Sequence, residues 1–123
     1  MKALFDTNIL IDYLNGIEAA RDELALYDKP SISSITWMKV LAGAFSEEEE
    51  IKLRAFLSRF TVLSVNMDVS EKAVELRRQY RMHLPDTIIW ATAMCDSALL
   101  VSRNTRDFPS GHPGVRLPYH LSP

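Results

Sequence analysis

The sequence has few of the features that mark a secreted or membrane-anchored protein. Its single cysteine, Cys95, cannot form an internal disulfide, so the chain does not need an oxidising compartment. The first acidic residue, Asp6, comes too early for the apolar stretch of a signal peptide. No apolar run approaches the roughly 20 residues that cross a membrane. We therefore expect a complete, cytoplasmic chain that makes no membrane contact.

Glycine and proline are also scarce, and charge of neither sign dominates. With 4 glycines and 6 prolines in 123 residues there is no room for a long linker, so residues 1–123 are expected to form one domain. Apolar residues make up 47% of the chain, which is enough for a buried core. The formal net charge of −2 argues neither for nor against a nucleic-acid partner, although a protein that binds nucleic acid mainly through a basic surface is usually far more positive. Any nucleic-acid chemistry must therefore come from a local site.

Short apolar runs alternate with segments of helical pattern along the chain. Strands are predicted at residues 3–5, 30–33, 61–65 and 99–101, with a short edge strand at 115–117. Helices are predicted at residues 6–14, 17–27, 34–44, 46–60 and 68–82, and from Pro85 onward. Strands that alternate with helices imply a parallel sheet covered on both faces. The sequence therefore predicts an α/β fold with four to five parallel strands.

The acidic run that follows Ser46 is interpreted as a helix start and not as a metal site. Ser46 and Glu49 have the spacing of a capping box, in which each side chain bonds the other residue's backbone N–H. Acidic residues in a first helical turn also offset the helix dipole while they face water. The same pattern predicts that Asp68 caps the next helix.

Three other acidic residues are expected at the carboxyl ends of the strands, where parallel sheets bind ligands. Asp6 directly follows the first strand, Asp107 follows the strand at 99–101, and Asp86 begins an apolar helix. Each alone could be a helix cap or a turn residue. Together, three carboxylates at one rim would repel one another without a cation, and hard oxygen ligands suit Mg²⁺ or Mn²⁺. Such a site can activate water for attack on a phosphodiester.

Four segments, in order, resemble the motifs of PIN domains of the VapC toxin type. They are residues 5–14, 33–43, 84–93 and 103–108. The resemblance implies a three-layer α/β/α PIN-like fold and an endoribonuclease that hydrolyses RNA with Mg²⁺ or Mn²⁺. It further implies a VapB-like antitoxin protein as partner and a homodimer.

The resemblance also implies roles for individual residues. Asp6 and Asp86 would be the principal metal ligands, and Asp107 would complete the acidic site, directly or through water. Thr7 and Asn104 would lie beside these carboxylates as substrate-binding residues.

Two arginines lie within the last motif, and the chain has three histidines. Arg103 and Arg106 flank Asn104 and are expected to guide the RNA backbone towards the acids. The histidines of the chain do not have the spacing of metal ligands, so none is expected to act as a ligand or as the general base.

One residue departs from the family pattern. Lys39 occupies the position in the second motif where the family normally has a glutamate of the catalytic site. Unit charges 4 Å apart interact by about 4 kcal/mol at an effective dielectric near 20, so an ammonium there opposes a divalent ion. We hypothesise that Lys39 pairs with Asp6 and Asp86 in place of metal and impairs the ribonuclease.

Two alternatives to this hypothesis remain open from the sequence. Lys39 could bend out to solvent on its flexible stem while three carboxylates still hold the metal. The chain could instead be a catalytically inactive PIN scaffold that only binds an antitoxin or a second copy of itself.

Overall fold

A computed structural model describes residues 2–104, 106–109 and 111–121. Within these residues, five strands form one sheet in which all neighbours are parallel. The strands are β1 (Ala3–Phe5), β2 (Ser31–Ser33), β3 (Thr61–Leu63), β4 (Leu99–Val101) and β5 (Val115–Arg116). Their order across the sheet is β3-β2-β1-β4-β5, so β1 lies in the middle.

Helices cover both faces of this sheet. They are α1 (Thr7–Leu14), α2 (Glu18–Leu24), α3 (Ser34–Ala42), α4 (Glu47–Leu57), α5 (Met67–Tyr80) and α6 (Leu84–Cys95). On one face, Phe5 and Val101 pack in a core with α1, α2 and α4. On the other face, Leu4 and Leu100 pack in a core with α5 and α6. This alternation follows from the two-residue period of a strand and confirms the predicted three-layer α/β/α fold.

The strand register brings the ends of β1 and β4 together. Leu4 lies opposite Leu100 and Phe5 opposite Val101, and the Asp6 backbone N–H donates to the Val101 carbonyl at 2.9 Å. The residues that follow the two strands, Asp6 and Ser102, are therefore neighbours at the carboxyl edge of the sheet. This edge is where the sequence predicts the acidic site.

Some element boundaries differ from the predicted ones. The strand predicted at 61–65 ends at Leu63, because β3 is an edge strand with only β2 to pair with. The helix predicted to begin at Asp68 begins at Met67, because the Asn66 side chain accepts from the Val69 N–H at 2.9 Å and takes the capping role. Ser46 caps α4 as predicted, with its hydroxyl accepting from the Glu49 N–H at 3.1 Å.

The longest helix among the described residues, α5, has 14 residues. None of the helices described is long and apolar enough to cross a membrane.

Candidate active site

Asp6 is the most buried of the three predicted site carboxylates, with 5% of its surface exposed. It caps α1, and its Oδ1 accepts from the Thr7 backbone N–H at 2.8 Å. Its Oδ2 accepts from the Ser102 hydroxyl at 2.8 Å and from the Asn8 amide at 3.3 Å. The Asp6 carboxylate is therefore oriented by the first residues of α1 and by Ser102, the residue that follows β4.

Asp86 and Asp107 approach the same rim from two other elements. Asp86 lies in the first turn of α6 and is half-buried. Asp107 lies in the loop after β4, where its Oδ2 accepts from the Asn104 side-chain amide at 2.8 Å. The Asn104 side-chain oxygen in turn accepts from the backbone N–H groups of Arg106 and Asp107, at 3.1 and 3.2 Å. The Asn104 side chain therefore orders the backbone of this loop and also orients the Asp107 carboxylate.

The three carboxylates act on one another electrostatically. Burial raises the pKa of Asp6, and the charge of Asp107 raises it further, against the hydrogen bonds from Ser102 and Thr7 and the charge of Lys39. Burial also raises the pKa of Asp86, and the charges of Asp6 and Asp107 add to the increase. Three mutually repelling carboxylates at one rim therefore favour the binding of a cation.

The type of donor suits a hard divalent ion, although the carboxylates do not form a closed cage. Within the described parts of the chain, no three acidic, histidine or cysteine side chains are grouped closely enough to hold a metal ion by themselves. Magnesium keeps several waters and is commonly bound through only one or two carboxylates. The carboxylates at this rim therefore fit an ion that is held in part through water.

Lys39 lies on α3 with its side chain exposed. The neighbouring Val40 is 3% exposed and belongs to the core, so α3 turns from the core to solvent between these two positions. Among the described residues, the ion pairs within 4 Å do not include Lys39, so the expected direct pair with Asp6 or Asp86 is not formed. Its charge still lowers the pKa of both aspartates from a greater distance.

Thr7 connects the rim to the helix that carries Lys39. Its hydroxyl shares a hydrogen bond of 2.9 Å with the hydroxyl of Thr36, which is fully buried on α3. Thr36 lies one turn before Lys39 on the same helix. This bond therefore fixes α3, and the backbone of Lys39, against the start of α1.

The two arginines that were predicted to guide RNA differ in their surroundings. Arg106 is exposed. Arg103 makes two hydrogen bonds to the Asp12 carboxylate, from Nε at 2.7 Å and from Nη2 at 3.0 Å. Its guanidinium is therefore held mainly by α1.

Two residues outside the predicted set, Ser102 and Asn8, support the site. Ser102 is 2% exposed, and its hydroxyl donates to Asp6 and accepts from the Asn104 backbone N–H at 3.0 Å. Asn8 donates to Asp6 and accepts from the Arg103 backbone N–H at 3.3 Å. The available signal for Ser102 was its position, because it follows β4 as Asp6 follows the neighbouring β1.

Comparison with known proteins identifies the family of this fold. A sequence model of the PIN domain matches residues 3–110. The ribonuclease VapC19 of Mycobacterium tuberculosis is 33% identical over 94% of this chain and 98% of its own length. Ribonuclease VapC10 of the same organism is 31% identical over 86% of this chain and 85% of its own. A solved toxin-antitoxin complex from Klebsiella pneumoniae contains a chain that is 44% identical, with a TM-score of 0.92 over 98% of this chain and all of that one.

These matches cover nearly the whole fold and all four motifs. The protein belongs to the PIN-domain family, and its relatives within that family are VapC ribonucleases.

Proposed function

We propose that this chain is a metal-dependent endoribonuclease of a toxin–antitoxin system, and that Lys39 lowers its activity. It hydrolyses phosphodiester bonds of RNA. The observation that carries the proposal is the coupling of Asp6, Asp86 and Asp107 at the carboxyl edge of a PIN-domain sheet. The names of the relatives support RNA as the substrate, because VapC10 and VapC19 are both ribonucleases.

Asp6 and Asp86 are the proposed ligands of Mg²⁺ or Mn²⁺, with Asp107 contributing directly or through water. When bound, the ion would activate a water and neutralise charge on the phosphodiester. Hydrogen bonds within the protein orient the Asp6 and Asp107 carboxylates before an ion binds. Ser102 and the Thr7 N–H hold the Asp6 oxygens, and Asn104 holds Asp107. A carboxylate already fixed by neighbours does not need to be ordered when the substrate arrives.

The RNA backbone is proposed to lie across the rim beside Thr7, Asn104 and Arg106. Arg106 is exposed and follows Asn104 closely, so its guanidinium is free to approach a phosphate at the acidic site. The carboxylates themselves repel phosphate, and a local arginine offsets that repulsion in a protein whose net charge is −2.

A VapB-like antitoxin protein is the proposed partner, and the toxin is proposed to form a homodimer. The solved Klebsiella pneumoniae neighbour, with 44% identity, is a toxin-antitoxin complex, and this supports an antitoxin for the present chain.

Lys39 is proposed to weaken metal binding through its charge. Replacing a carboxylate by an ammonium at the rim changes the local charge by two units. The side chain is exposed and forms no ion pair within 4 Å among the residues that the structure describes, so solvent screens the effect, and we expect a loss of about tenfold in metal affinity.

The proposal is tested by the cleavage of bulk cellular RNA with three purified proteins in Mg²⁺ and in EDTA. They are the unaltered chain, Lys39→Glu, and Lys39→Glu combined with Asp6→Asn. We expect Lys39→Glu to cut fastest, the unaltered chain slowly, and the double variant not at all. Calorimetric titration with Mn²⁺ should show the same order of affinity.

Two results would contradict the proposal in different ways. Equal cleavage by the unaltered chain and Lys39→Glu would show that Lys39 does not affect the site. Failure of all three proteins to bind Mn²⁺ or cut RNA would leave the inactive PIN scaffold as the better description.

A further inference from the structure

Asp12 is a buried carboxylate that the proposed reaction does not use. It lies on α1, is 4% exposed, and accepts three hydrogen bonds. Two come from the Arg103 guanidinium, and the third comes from the Tyr119 hydroxyl at 2.7 Å. A buried charge is tolerated only when it is paired and hydrogen-bonded, and two parallel bonds from one guanidinium also fix direction.

The cluster of Asp12, Arg103 and Tyr119 involves the loop after β4 that carries Asn104 and Asp107, here called the catalytic loop. Arg103 stands between Ser102, which donates to Asp6, and Asn104, which holds Asp107. Asp12 lies on α1, the helix that Asp6 caps. The pair therefore joins the loop that carries Asp107 to the helix that Asp6 caps, in addition to the Ser102–Asp6 bond and the bond from the Arg103 N–H to Asn8.

The third member of the cluster comes from the last described part of the chain. Tyr119 follows β5, the strand at the sheet edge next to β4. In β5, the Arg116 guanidinium likewise donates two hydrogen bonds to the buried Glu23 carboxylate on α2, at 2.6 and 3.0 Å. The segment 115–119 is thus bonded to α1 through Tyr119 and to α2 through Arg116, and the Arg116 carbonyl also accepts from the Ser102 backbone N–H at 3.1 Å.

We infer that Arg103 is a positioning residue, held by Asp12 and supported by Tyr119, which fixes the loop bearing Asn104 and Asp107 against α1. It orients the loop through contacts with protein rather than with RNA. Its effect on cleavage rests on the proposed function, whereas its effect on loop order does not.

Hydrogen–deuterium exchange measures the effect on loop order directly. We compare Asp12→Asn and the milder Tyr119→Phe with Glu23→Gln, which weakens the other buried arginine pair. Asp12→Asn should speed exchange in peptides spanning 103–109 by about tenfold, and Tyr119→Phe by less. Glu23→Gln should instead speed exchange in β5 and at the Ser102 amide, which bonds Arg116, and leave 103–109 unchanged. Equal loosening of 103–109 by Glu23→Gln, or no loosening by Asp12→Asn and Tyr119→Phe, would overturn the inference.

RNA cleavage in the Lys39→Glu background separates positioning from RNA contact. Arg103→Gln should lower kcat by up to about 100-fold with little change in KM, since displacement of a reacting group by about 1 Å has an effect of this size. Arg106→Gln, as the comparison, should mainly raise KM. A raised KM with unchanged kcat for Arg103→Gln would identify it as an RNA contact and overturn the inference. If Lys39→Glu itself cuts no RNA, the proposed function fails, and the exchange experiment still decides the role of Arg103.

Discussion

Buried acidic residues serve two different purposes in two neighbouring regions of this protein. On the α1–α2 side, Asp12 and Glu23 each bind one arginine through two hydrogen bonds. At the carboxyl edge of the sheet, Asp6 accepts only uncharged donors, and burial and the other carboxylates raise its pKa. The paired acids hold elements together, whereas the rim acids keep a repulsion that a cation can relieve. The same residue type thus pairs with arginine in one region and, in the proposed function, forms the cation site in the other.

The largest loss of stability is expected when one of the paired acids is left without its arginine. Arg103→Ala should lower the free energy of unfolding by about 3 kcal/mol, because it leaves the Asp12 charge buried and unpaired. Asp12→Ala should cost less, about 2 kcal/mol, because the Arg103 side chain is 31% exposed, against 6% for Asp12, and can regain water. Urea unfolding at neutral pH measures both.

A double substitution provides the control for the pair. Asp12→Leu with Arg103→Met removes both charges, and buried ion pairs can be replaced by apolar groups at little cost. We expect the double variant to be more stable than Arg103→Ala. If Arg103→Ala and Asp12→Ala lose equally little stability, the pair does not hold the two elements together.

The fold was largely predictable from the sequence, because it depends on local patterns. Apolar runs at Ala3–Phe5 and Leu99–Val101 gave the central strands, and the residues after them were correctly placed at one edge of the sheet. The edge strand β3 was predicted too long, because β-branched residues continue past the point where its neighbour ends.

The partners of individual side chains were less predictable. The Asp12–Arg103 pair joins residues 91 positions apart, and a single sequence contains no signal for such a contact. The direction of Lys39 was equally hidden, because one flexible side chain next to buried Val40 can bend either towards the acids or towards water. Motif positions identified which residues meet at the rim, and the geometry of the fold determined which of them are bound to one another.

Removal of a rim acid should have the opposite effect from removal of a paired one. Asp86→Asn should raise the free energy of unfolding at neutral pH in EDTA, because it removes a charge that burial and two carboxylates disfavour. Asp86 is only half-buried, so screening limits the gain to under about 1 kcal/mol. Addition of Mn²⁺ should reverse the order by stabilising the unaltered chain more than the variant.

The stability gained by Asp86→Asn should depend on pH, because the pKa of Asp86 is raised in the folded state. A carboxyl group whose pKa is higher in the folded state contributes stability below its unfolded value, and that contribution is lost as the pH rises through the folded value. The two proteins should therefore be equally stable near pH 4 or below, about the ordinary pKa of aspartate, and diverge as the pH rises towards neutrality. Urea unfolding across this range tests the sign, and a gap that widens towards acid would refute it.

The smallest loss of stability is expected when an exposed ion pair is removed. Arg54 on α4 bonds Glu50 at 2.9 Å, with both side chains about half exposed, and its guanidinium also lies over the Trp37 ring. Glu50→Ala should therefore cost at most about 0.5 kcal/mol, since solvent screens the pair and the ring contact remains. This cost should disappear in about 1 M salt, where charges are screened within a few ångströms, whereas the loss from Arg103→Ala should persist. If both losses fall equally with salt, burial is not what distinguishes the Asp12 pair from an ordinary surface pair.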